Sequence, residues 1–308
     1  MNALIIRAGA LGDTLMLLPA LLDLSEKATI TYVGRQPGLG FVKDYVNSAM
    51  DLERPGWHRL FMENPDRRGL PFSKTDLVIA FFSDEDGTIS RNLSAYLPNT
   101  PAHIFPSFPK KGRNIHVALY LSNCLRSAGL PVGPDRSIKA ILTRGLSEKM
   151  AAPVRQNKMV FHPGSGDPKK NHPPDFWLNL IARLSRETKL QRLKPLLLLG
   201  PAEKSIYPSF RKSLSSTEAE IYFSPDKDLL TRILKEAILY IGQDSGITHL
   251  AAMLGTPTVA LFKESNVHQW RPLGPYVKLI RQKEAGPRLI NKALKASISL
   301  CDPLTSDL

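Results

Sequence analysis

Cysteine is nearly absent from this chain. Its 308 residues include only two cysteines, Cys124 and Cys301, far apart in the sequence. Two isolated cysteines do not have the paired spacing of a zinc site, and they offer no disulfide framework of the kind that stabilises small secreted proteins. The sequence therefore predicts a protein of the reducing cytoplasm.

The chain also lacks a long hydrophobic run. The apolar stretch Leu15–Leu22 is far shorter than the roughly 20 residues that a membrane-spanning helix needs. Arg7 and Asp13 interrupt the apolar beginning of the sequence, which is not the pattern of a signal peptide. We therefore expect no helix that crosses a membrane.

Acidic residues are outnumbered. The 41 Lys and Arg residues exceed the 28 Asp and Glu residues and give a formal net charge of +13. This excess predicts an anionic partner, which could be a membrane surface, a nucleic acid or a phosphorylated substrate. The chain has no zinc-finger or RNA-binding signature and no block of aromatic residues within its basic stretches. We therefore expect no nucleic acid, and an acidic lipid surface fits better.

Strand and helix patterns alternate in both halves of the chain. They predict an α/β fold of two Rossmann-like domains facing a cleft, residues 1–150 and 151–308, with a connecting region at 129–157. The predicted strands are Ala3–Ile6, Thr29–Val33, Leu77–Phe82, Ala102–Phe105, Met159–His162, Pro195–Gly200, Glu220–Phe223, Leu239–Ile241 and Thr258–Phe262. The predicted helices are Thr14–Leu24, Phe41–Val46, Ile115–Ala128, Pro174–Glu187, Leu229–Glu236, Ile247–Leu254 and Arg288–Ile298.

The loop after the first strand carries a carboxylate at the start of a helix. Its glycines, Gly9 and Gly12, do not have the spacing of the G-x-G-x-x-G dinucleotide fingerprint. Asp13 has two readings at this point. It could cap the helix, or it could be a functional group where ligands bind in open α/β sheets.

Two loops of the second half have the composition of anion sites. After the strand Met159–His162, a loop with Ser165 and Lys170 joins glycines to compact positive charge, which suits phosphate oxygens or a solvated turn equally well. After Ile241, the turn with Asp244, Ser245 and Gly246 opens a helix, whose N-terminus favours an anion. Ser245 is also a suitable helix cap, so an ordinary cap remains the alternative.

Taken together, these segments resemble the heptosyltransferase family. Arg7-Ala8-Gly9-Ala10-Leu11-Gly12-Asp13 is similar to the family's opening Arg-x-x-x-Leu-Gly-Asp, and His162-Pro163-Gly164-Ser165 with Lys170-x-His172-Pro173 is similar to its Pro-Gly-Ser…Lys-x-Trp-Pro loop. Asp244-Ser245-Gly246-x-x-His249-Leu250-Ala251-Ala252 and Trp270-x-Pro272-x-Gly274 match two further elements. The resemblance covers residues 1 to about 280.

The chain departs from the family pattern at several positions. His172 stands where the family usually has Trp, and Lys263-Glu264 stands where Gly-Pro is common. Ala80-Phe81-Phe82 ends without the Asp that often closes this strand, and the cysteine-bearing segment after the last strand is missing. These departures concern the acceptor and the sugar more than the diphosphate site.

The resemblance implies an inverting glycosyltransferase of GT-B architecture that transfers heptose from ADP-heptose onto a lipopolysaccharide core or a similar anionic glycolipid. It implies that Asp13 is the general base and that the first domain binds the acceptor. It implies a cytoplasmic enzyme at the inner face of the inner membrane, without cofactor or metal, whose last helix packs back on the first domain. The donor and phosphate-binding residues it implies are Gly12, Ser165, Lys170, Asp244, Ser245, Gly246 and His249. Lys170 and the amides at Ser245 and Gly246 would neutralise the leaving ADP, Asp244 would be free to hold sugar hydroxyls, and His249 is expected to pack at the base of its helix.

Other functions stay open at this stage. Asp84-Glu85-Asp86 resembles the Asp-x-Asp metal motif of the other glycosyltransferase fold, although a solvated loop explains it as well. The chain could be a sugar-nucleotide-binding protein with impaired catalysis, or a nucleotide-sugar epimerase of the same architecture. Asp13 discriminates the first alternative, because a binding protein has no need of a general base. A reaction with nucleotide-sugar alone discriminates the second.

Several basic residues of the first half have no motif role. We interpret them as facing the acceptor or the membrane, because one diphosphate needs only one or two positive charges. They are Arg35, Arg54, Arg59, Arg67, Arg68, Lys110, Lys111 and Arg113.

Overall fold

The computed structural model describes residues 1–64, 68–72, 74–146, 155–215 and 217–305. Contacts between residues divide the chain into two compact units, Met1–Ala140 and Ile141–Leu308. Each unit contains one sheet whose described pairings are all parallel. Both units therefore have the α/β architecture that the sequence predicted. Among the helices of the described residues, none has the length and apolar composition of a membrane span.

The first unit is built around a five-stranded sheet of order β3-β2-β1-β4-β5. Its strands are β1 Asn2–Ile6, β2 Thr29–Gly34, β3 Ser48–Asp51, β4 Leu77–Phe81 and β5 Ala102–Phe105. Every residue of β4 is buried, as are Ala3 to Ile6 of β1. Unbroken apolar runs of this kind belong to strands covered on both faces, which explains their central place in the sheet.

Short helices connect or follow the strands of this sheet, and the last of them crosses the boundary between the two units. They are α1 Leu11–Leu15, α2 Leu18–Leu24, α3 Gly38–Val42, α4 Thr88–Tyr96, α5 Val117–Ser127 and α6 Pro134–Arg144. The Asp23 side chain on α2 accepts hydrogen bonds from the Gly133 amide (2.7 Å) and the Arg136 guanidinium, so the segment before α6 is tied to α2. Burial opposes ionisation of Asp23, yet these bonds and the one from Lys27 lower its pKa.

The second unit is built around a six-stranded sheet of order β11-β10-β9-β6-β7-β8. Its strands are β6 Gln156–His162, β7 Lys194–Leu199, β8 Glu220–Phe223, β9 Ala237–Gln243, β10 Thr258–Phe262 and β11 Val277–Arg281. Its helices are α7 Pro174–Ser185, α8 Tyr207–Leu214, α9 Lys227–Glu236, α10 Gly246–Met253, α11 Val267–Trp270 and α12 Pro287–Thr305. Leu289, Ala293 and Leu294 of α12 are part of this unit's hydrophobic core. The expectation that α12 also packs on the first domain stays a prediction.

The predicted strands are present, but several elements were missed or misplaced. The edge strands β3 and β11 were not predicted because they are short and partly exposed, so neither shows a buried apolar run. The predicted helix Phe41–Val46 is wrong in its bounds, because α3 begins at Gly38 and ends at Val42. The predicted connecting region 129–157 also includes a helix that was not predicted. It contains α6, and Pro134 is the first residue of that helix, where a proline is well tolerated.

Candidate active site

The carboxyl ends of β10, β9 and β6 lie side by side in the second unit, because these three strands are neighbours in the parallel sheet. The loops that follow them bring together three side chains from distant parts of the sequence. Lys170 Nζ lies 2.8 Å from Asp244 Oδ2, and the Ser265 hydroxyl donates a hydrogen bond to the same carboxylate oxygen. Lys170 and Asp244 were predicted to contribute to one site, and here they form an ion pair.

Asp244 is nearly inaccessible, with 4% of its surface exposed. Burial opposes its ionisation and is the largest influence on its pKa. Interactions with His249, Lys170 and Ser265 outweigh burial and lower the pKa to about 2. The carboxylate therefore stays charged at any pH at which we expect the protein to be used. Its Oδ2 atom is engaged by Lys170 and Ser265, and the expectation that Asp244 holds sugar hydroxyls stays a prediction.

His249 is buried beneath this carboxylate. Its Nε2 atom lies 3.7 Å from Asp244 Oδ1, and its ring centroid lies 6.4 Å from that of Trp270. Within the described part of the chain, its Nδ1 atom is buried and makes no hydrogen bond. His249 therefore packs inside the unit, as expected, and acts on the site through Asp244.

Ser245 is the N-cap of α10. Its hydroxyl oxygen accepts a hydrogen bond from the Thr248 amide (3.3 Å), and the helix runs from Gly246 to Met253. The predicted cap is thus present, and the amide end of an eight-residue helix lies beside Asp244. Gly242 just before it is required for packing, because a Cβ atom there would lie 2.3 Å from the Tyr240 hydroxyl.

The loop after β6 is held by its own polar side chains. The Ser165 hydroxyl is buried and donates to Asn171 Oδ1 at 2.6 Å, so it supports the loop that carries Lys170. Gln243, fully buried at the end of β9, accepts from the His172 amide and donates to the Pro163 carbonyl. Gln243 therefore fastens the loop of one strand to the end of its neighbour, a role that the sequence did not indicate.

Gly164 in this loop serves packing more directly than ligand approach. A Cβ atom at this position would lie 1.9 Å from Glu203 Oε1. Glu203 is itself buried and accepts a hydrogen bond from the Gly200 amide at 2.7 Å. The sequence suggested that the glycines of this loop let a phosphate approach the backbone. In the structure, Gly164 leaves the space that the buried Glu203 carboxylate occupies.

An open cavity of about 560 Å³ lies against this cluster. It is lined by Asp167, Lys169, Lys170, Lys263, Glu264 and Ser265. Three lysines outnumber two carboxylates around it, which makes it suited to an anion. Lys263 and Ser265 follow β10, and the sequence offered no signal for them beyond the departure from the family's Gly-Pro.

In the first unit, Asp13 lies in the first turn of α1, just beyond the carboxyl end of β1. Its Oδ2 atom accepts a hydrogen bond from the Ala10 amide (3.1 Å), and the residue is partly exposed. The capping reading is thus present in the structure, and a functional role for Asp13 stays a prediction. Gly12 lies in the same short helix, and Gly9 is needed because a Cβ atom there would lie 2.8 Å from Asp13 Cβ.

Arg7 connects the loop of Asp13 to that after β5. Its Nε donates to the Asp13 carbonyl (3.3 Å) and its Nη1 donates to the Ser107 carbonyl (2.8 Å). The guanidinium carbon lies 5.4 Å from the ring centroids of Phe81 and Phe108, within the range of cation–π attraction. Burial lowers the pKa of Arg7, and the nearby Asp13 charge opposes that shift. The sequence placed Arg7 in a motif but did not indicate that it joins these two loops.

The Asp-x-Asp pattern caps a helix. Asp84 accepts from the Ile89 and Ser90 amides (2.8 and 2.9 Å), while Asp86 accepts from the Thr88 amide and hydroxyl (3.1 and 2.7 Å). Both carboxylates therefore hold the N-terminus of α4, which explains the pattern by local structure. Over the described residues, no group of three or more His, Cys, Asp or Glu side chains is arranged to hold a metal ion.

The basic residues of the first half differ in their surroundings. Lys110, Lys111 and Arg113 are exposed on the loop that follows β5. Arg35 forms an ion pair with Glu53 at 3.2 Å, and Arg59 Nη1 donates to the Gly69 carbonyl. Arg67 lies outside the described residues.

Solved structures of similar fold are known. E. coli ADP-heptose lipopolysaccharide heptosyltransferase II is 14% identical, with a TM-score of 0.69 and coverage of 100% of both chains. E. coli heptosyltransferase WaaC with ADP is 15% identical, with a TM-score of 0.67 and coverage of 97% of this chain and 99% of that one. The UDP-GlcNAc 2-epimerase of Methanocaldococcus jannaschii is 13% identical, with a TM-score of 0.52 over 99% and 100%. At these identities the matches establish the fold, which is that of the GT-B glycosyltransferases.

The sequence itself gives a more specific match. No curated protein sequence matches the chain. The model of glycosyltransferase family 9, the heptosyltransferases, matches residues 115–295, which is more than half of the chain and includes the Lys170, Asp244 and Ser265 cluster. The chain therefore belongs to glycosyltransferase family 9, the heptosyltransferase family.

Proposed function

We propose that the protein is a metal-independent, inverting glycosyltransferase that moves heptose from ADP-heptose onto a lipopolysaccharide core or a similar anionic glycolipid. The observation that carries this proposal is the Lys170–Asp244 ion pair beside the N-terminus of α10, at the rim of a cavity lined with lysines. E. coli WaaC has been solved with ADP and with ADP-2-deoxy-2-fluoro heptose, which supports an ADP-sugar as donor.

Asp13 is the proposed general base. In a single displacement, its carboxylate takes the proton of the acceptor hydroxyl as that oxygen attacks the anomeric carbon and the bond to the diphosphate breaks. Its place beyond the carboxyl end of β1 supports this role, since ligands of open parallel sheets bind at that edge. Arg7 supports it as a positioning residue, because it holds the Asp13 carbonyl and the loop after β5 together.

The leaving diphosphate is stabilised by positive charge from the second unit. Lys170 supplies an ammonium group, and the Ser245 and Gly246 amides supply the positive end of a helix. Asp244 orients Lys170 through the ion pair and is in turn held by Ser265 and His249. Ser165 keeps the Lys170 loop in place through Asn171.

The direct test uses purified protein, ADP-heptose and heptose-deficient lipopolysaccharide. We expect release of ADP that requires the acceptor, together with a mass increase of one heptose on the lipopolysaccharide. A parallel reaction without acceptor addresses the epimerase alternative. Donor conversion to an epimer in that reaction would replace the transferase proposal, and donor binding without turnover in either reaction would favour an impaired binding protein.

Transfer is expected to persist in excess EDTA, because Lys170 and the helix amides carry the leaving-group charge. The measurement is the initial rate of ADP release before and after chelation. Abolition by EDTA with recovery on adding Mg²⁺ or Mn²⁺ would contradict the proposal and direct attention to Asp84 and Asp86.

The acceptor side is proposed to include the exposed loop after β5. Neutralising Lys110, Lys111 and Arg113 together should weaken binding to anionic lipid vesicles by a few kcal/mol, at about 1 kcal/mol per charge. The effect should shrink as salt rises, because exposed charges are screened. Phe108, which is 42% exposed on the same loop, supports a membrane-facing role. The measurement is vesicle co-sedimentation at two salt concentrations.

The matched control neutralises three exposed basic residues of the second unit, Lys204, Arg211 and Lys212. It makes the same change in net charge and should affect vesicle binding less. Nucleotide affinity should be unchanged in the variant at 110, 111 and 113. Loss of nucleotide affinity with intact vesicle binding would reverse the proposed roles of the two domains.

A further inference from the structure

Lys263 follows the buried strand β10 and lies at the rim of the lysine-lined cavity. Its ammonium group donates a hydrogen bond to the Asn171 carbonyl at 3.3 Å, which brings it to the loop that carries Lys170. The residue is half-buried, so its charge is partly removed from water. In the sequence, Lys263 was notable only because it departs from the family pattern. The fold places it beside the proposed donor site.

Two of the three lysines around the cavity have no carboxylate partner among the described residues, and of these Lys169 is exposed whereas Lys263 is half-buried. Lys170 is paired with Asp244 at 2.8 Å, and Glu264 is paired with Lys283 at 3.3 Å. The Asp167 side chain accepts from the Lys169 amide. Among the described residues, the hydrogen-bond partner of the Lys263 ammonium is a neutral carbonyl. A half-buried cation without a carboxylate is stabilised when an anion enters the cavity.

The imidazole of His172 does not add a second positive charge beside Lys263. His172 is buried, and burial, followed by the repulsion of Lys263, lowers the pKa of its imidazole to about 4. The ring is therefore neutral at neutral pH, and both of its nitrogens are buried without hydrogen bonds in the described structure.

We propose that Lys263 is a specificity-determining residue that binds the second phosphate of a nucleoside diphosphate sugar. The inference rests on the proposed function. The N-terminus of α10 and Lys170 are suited to one phosphate, and Lys170 keeps its bond to Asp244. A diphosphate brings more negative charge than these two groups offset, and Lys263 supplies the additional cation from the loop after β10. The residue would thus make the site select nucleoside diphosphates over monophosphates.

The test compares the affinities of ADP and AMP by isothermal titration calorimetry in the full-length protein. Lys263→Met keeps most of the apolar stem and removes the charge. We expect the affinity for ADP to fall about tenfold to a hundredfold, the range for loss of a charge-assisted hydrogen bond, while the affinity for AMP changes little. Lys263→Arg should restore most of the preference for ADP.

Lys278→Met is the matched control. This substitution makes the same change in net charge as Lys263→Met. Lys278 is exposed on β11, and it is paired in register with Val259, away from the carboxyl end of β10. It should bind ADP like the wild type. If Lys263→Met binds ADP as tightly as the wild type, or loses ADP and AMP equally, the role of Lys263 is overturned. If the wild type itself binds no nucleoside diphosphate, the proposed donor site fails as well, so the two failures are distinguishable.

Discussion

Asp13→Asn is expected to reduce the rate of sugar transfer about a hundredfold or more, the usual range for loss of a general base. The amide is close to isosteric with the carboxylate, and its oxygen can still accept the hydrogen bond from Ala10 that caps α1. Affinity for the donor should barely change, because all the proposed donor residues except Gly12 belong to the second unit. The measurements are the transfer rate with both substrates saturating and donor affinity by calorimetry.

Asp86→Asn is the matched control for this variant. Asp86 is also a helix-capping carboxylate of the first unit, and its removal should leave the transfer rate near that of the wild type. Gly9→Ala gives a second, independent disturbance, since the added Cβ would lie 2.8 Å from Asp13 Cβ and displace that side chain. A transfer rate close to the wild-type value in Asp13→Asn would remove this residue from the mechanism.

Lys170→Met is expected to lower transfer by about a hundredfold to a thousandfold, as for loss of one group that stabilises developing negative charge. The effect should fall mainly on the rate at saturating donor, because the leaving diphosphate gains charge in the transition state. Lys170→Arg should retain more activity than the methionine variant, since it keeps the charge near Asp244. Wild-type turnover in Lys170→Met would contradict this assignment.

The same variant should also change the response to acid. In the wild type the pKa of Asp244 is lowered to about 2, so the pair's contribution to stability is present above the carboxylate's ordinary pKa. That contribution is lost as pH falls toward 2. Without the Lys170 ammonium the pKa of Asp244 rises, so its ionisation contributes less to stability and less acid is needed to unfold the protein. Acid unfolding followed by circular dichroism should therefore have a higher midpoint in Lys170→Met. An unchanged midpoint would mean that the ion pair adds little.

Local units of the fold were predictable because their signals are short-range. The strand Ala3–Ile6, its glycine-bearing loop and the helix after it can be recognised within a few residues, and so can the Ser245 cap before α10. Burial of β1 and β4 follows from unbroken apolar runs. The fold class was confirmed by the two parallel sheets, and the family was confirmed by the match over residues 115–295.

Contacts between distant loops could not be predicted from spacing. Ser265 reaches Asp244 only because β10 and β9 are neighbours in the sheet, and this order is set by packing of the whole unit. The same holds for Lys263 and Asn171, which are separated by 92 positions in the sequence. The glycines of the loop after β6 were interpreted as giving a ligand access to the backbone. The sequence did not show that Glu203 would occupy the space beside Gly164.

The buried amide of Gln243 has a consequence for how the donor site meets its ligand. The His172 amide must face an acceptor and the Pro163 carbonyl must face a donor, so a single planar group with both functions fits between them. A carboxylate or an apolar side chain of similar size could satisfy only one side or neither. The loop after β6 is thus cross-linked to the end of β9 before any nucleotide arrives. The entropic cost of ordering this loop is therefore met during folding and not during binding. The loop is preorganised, so less of the binding free energy is lost to ordering it.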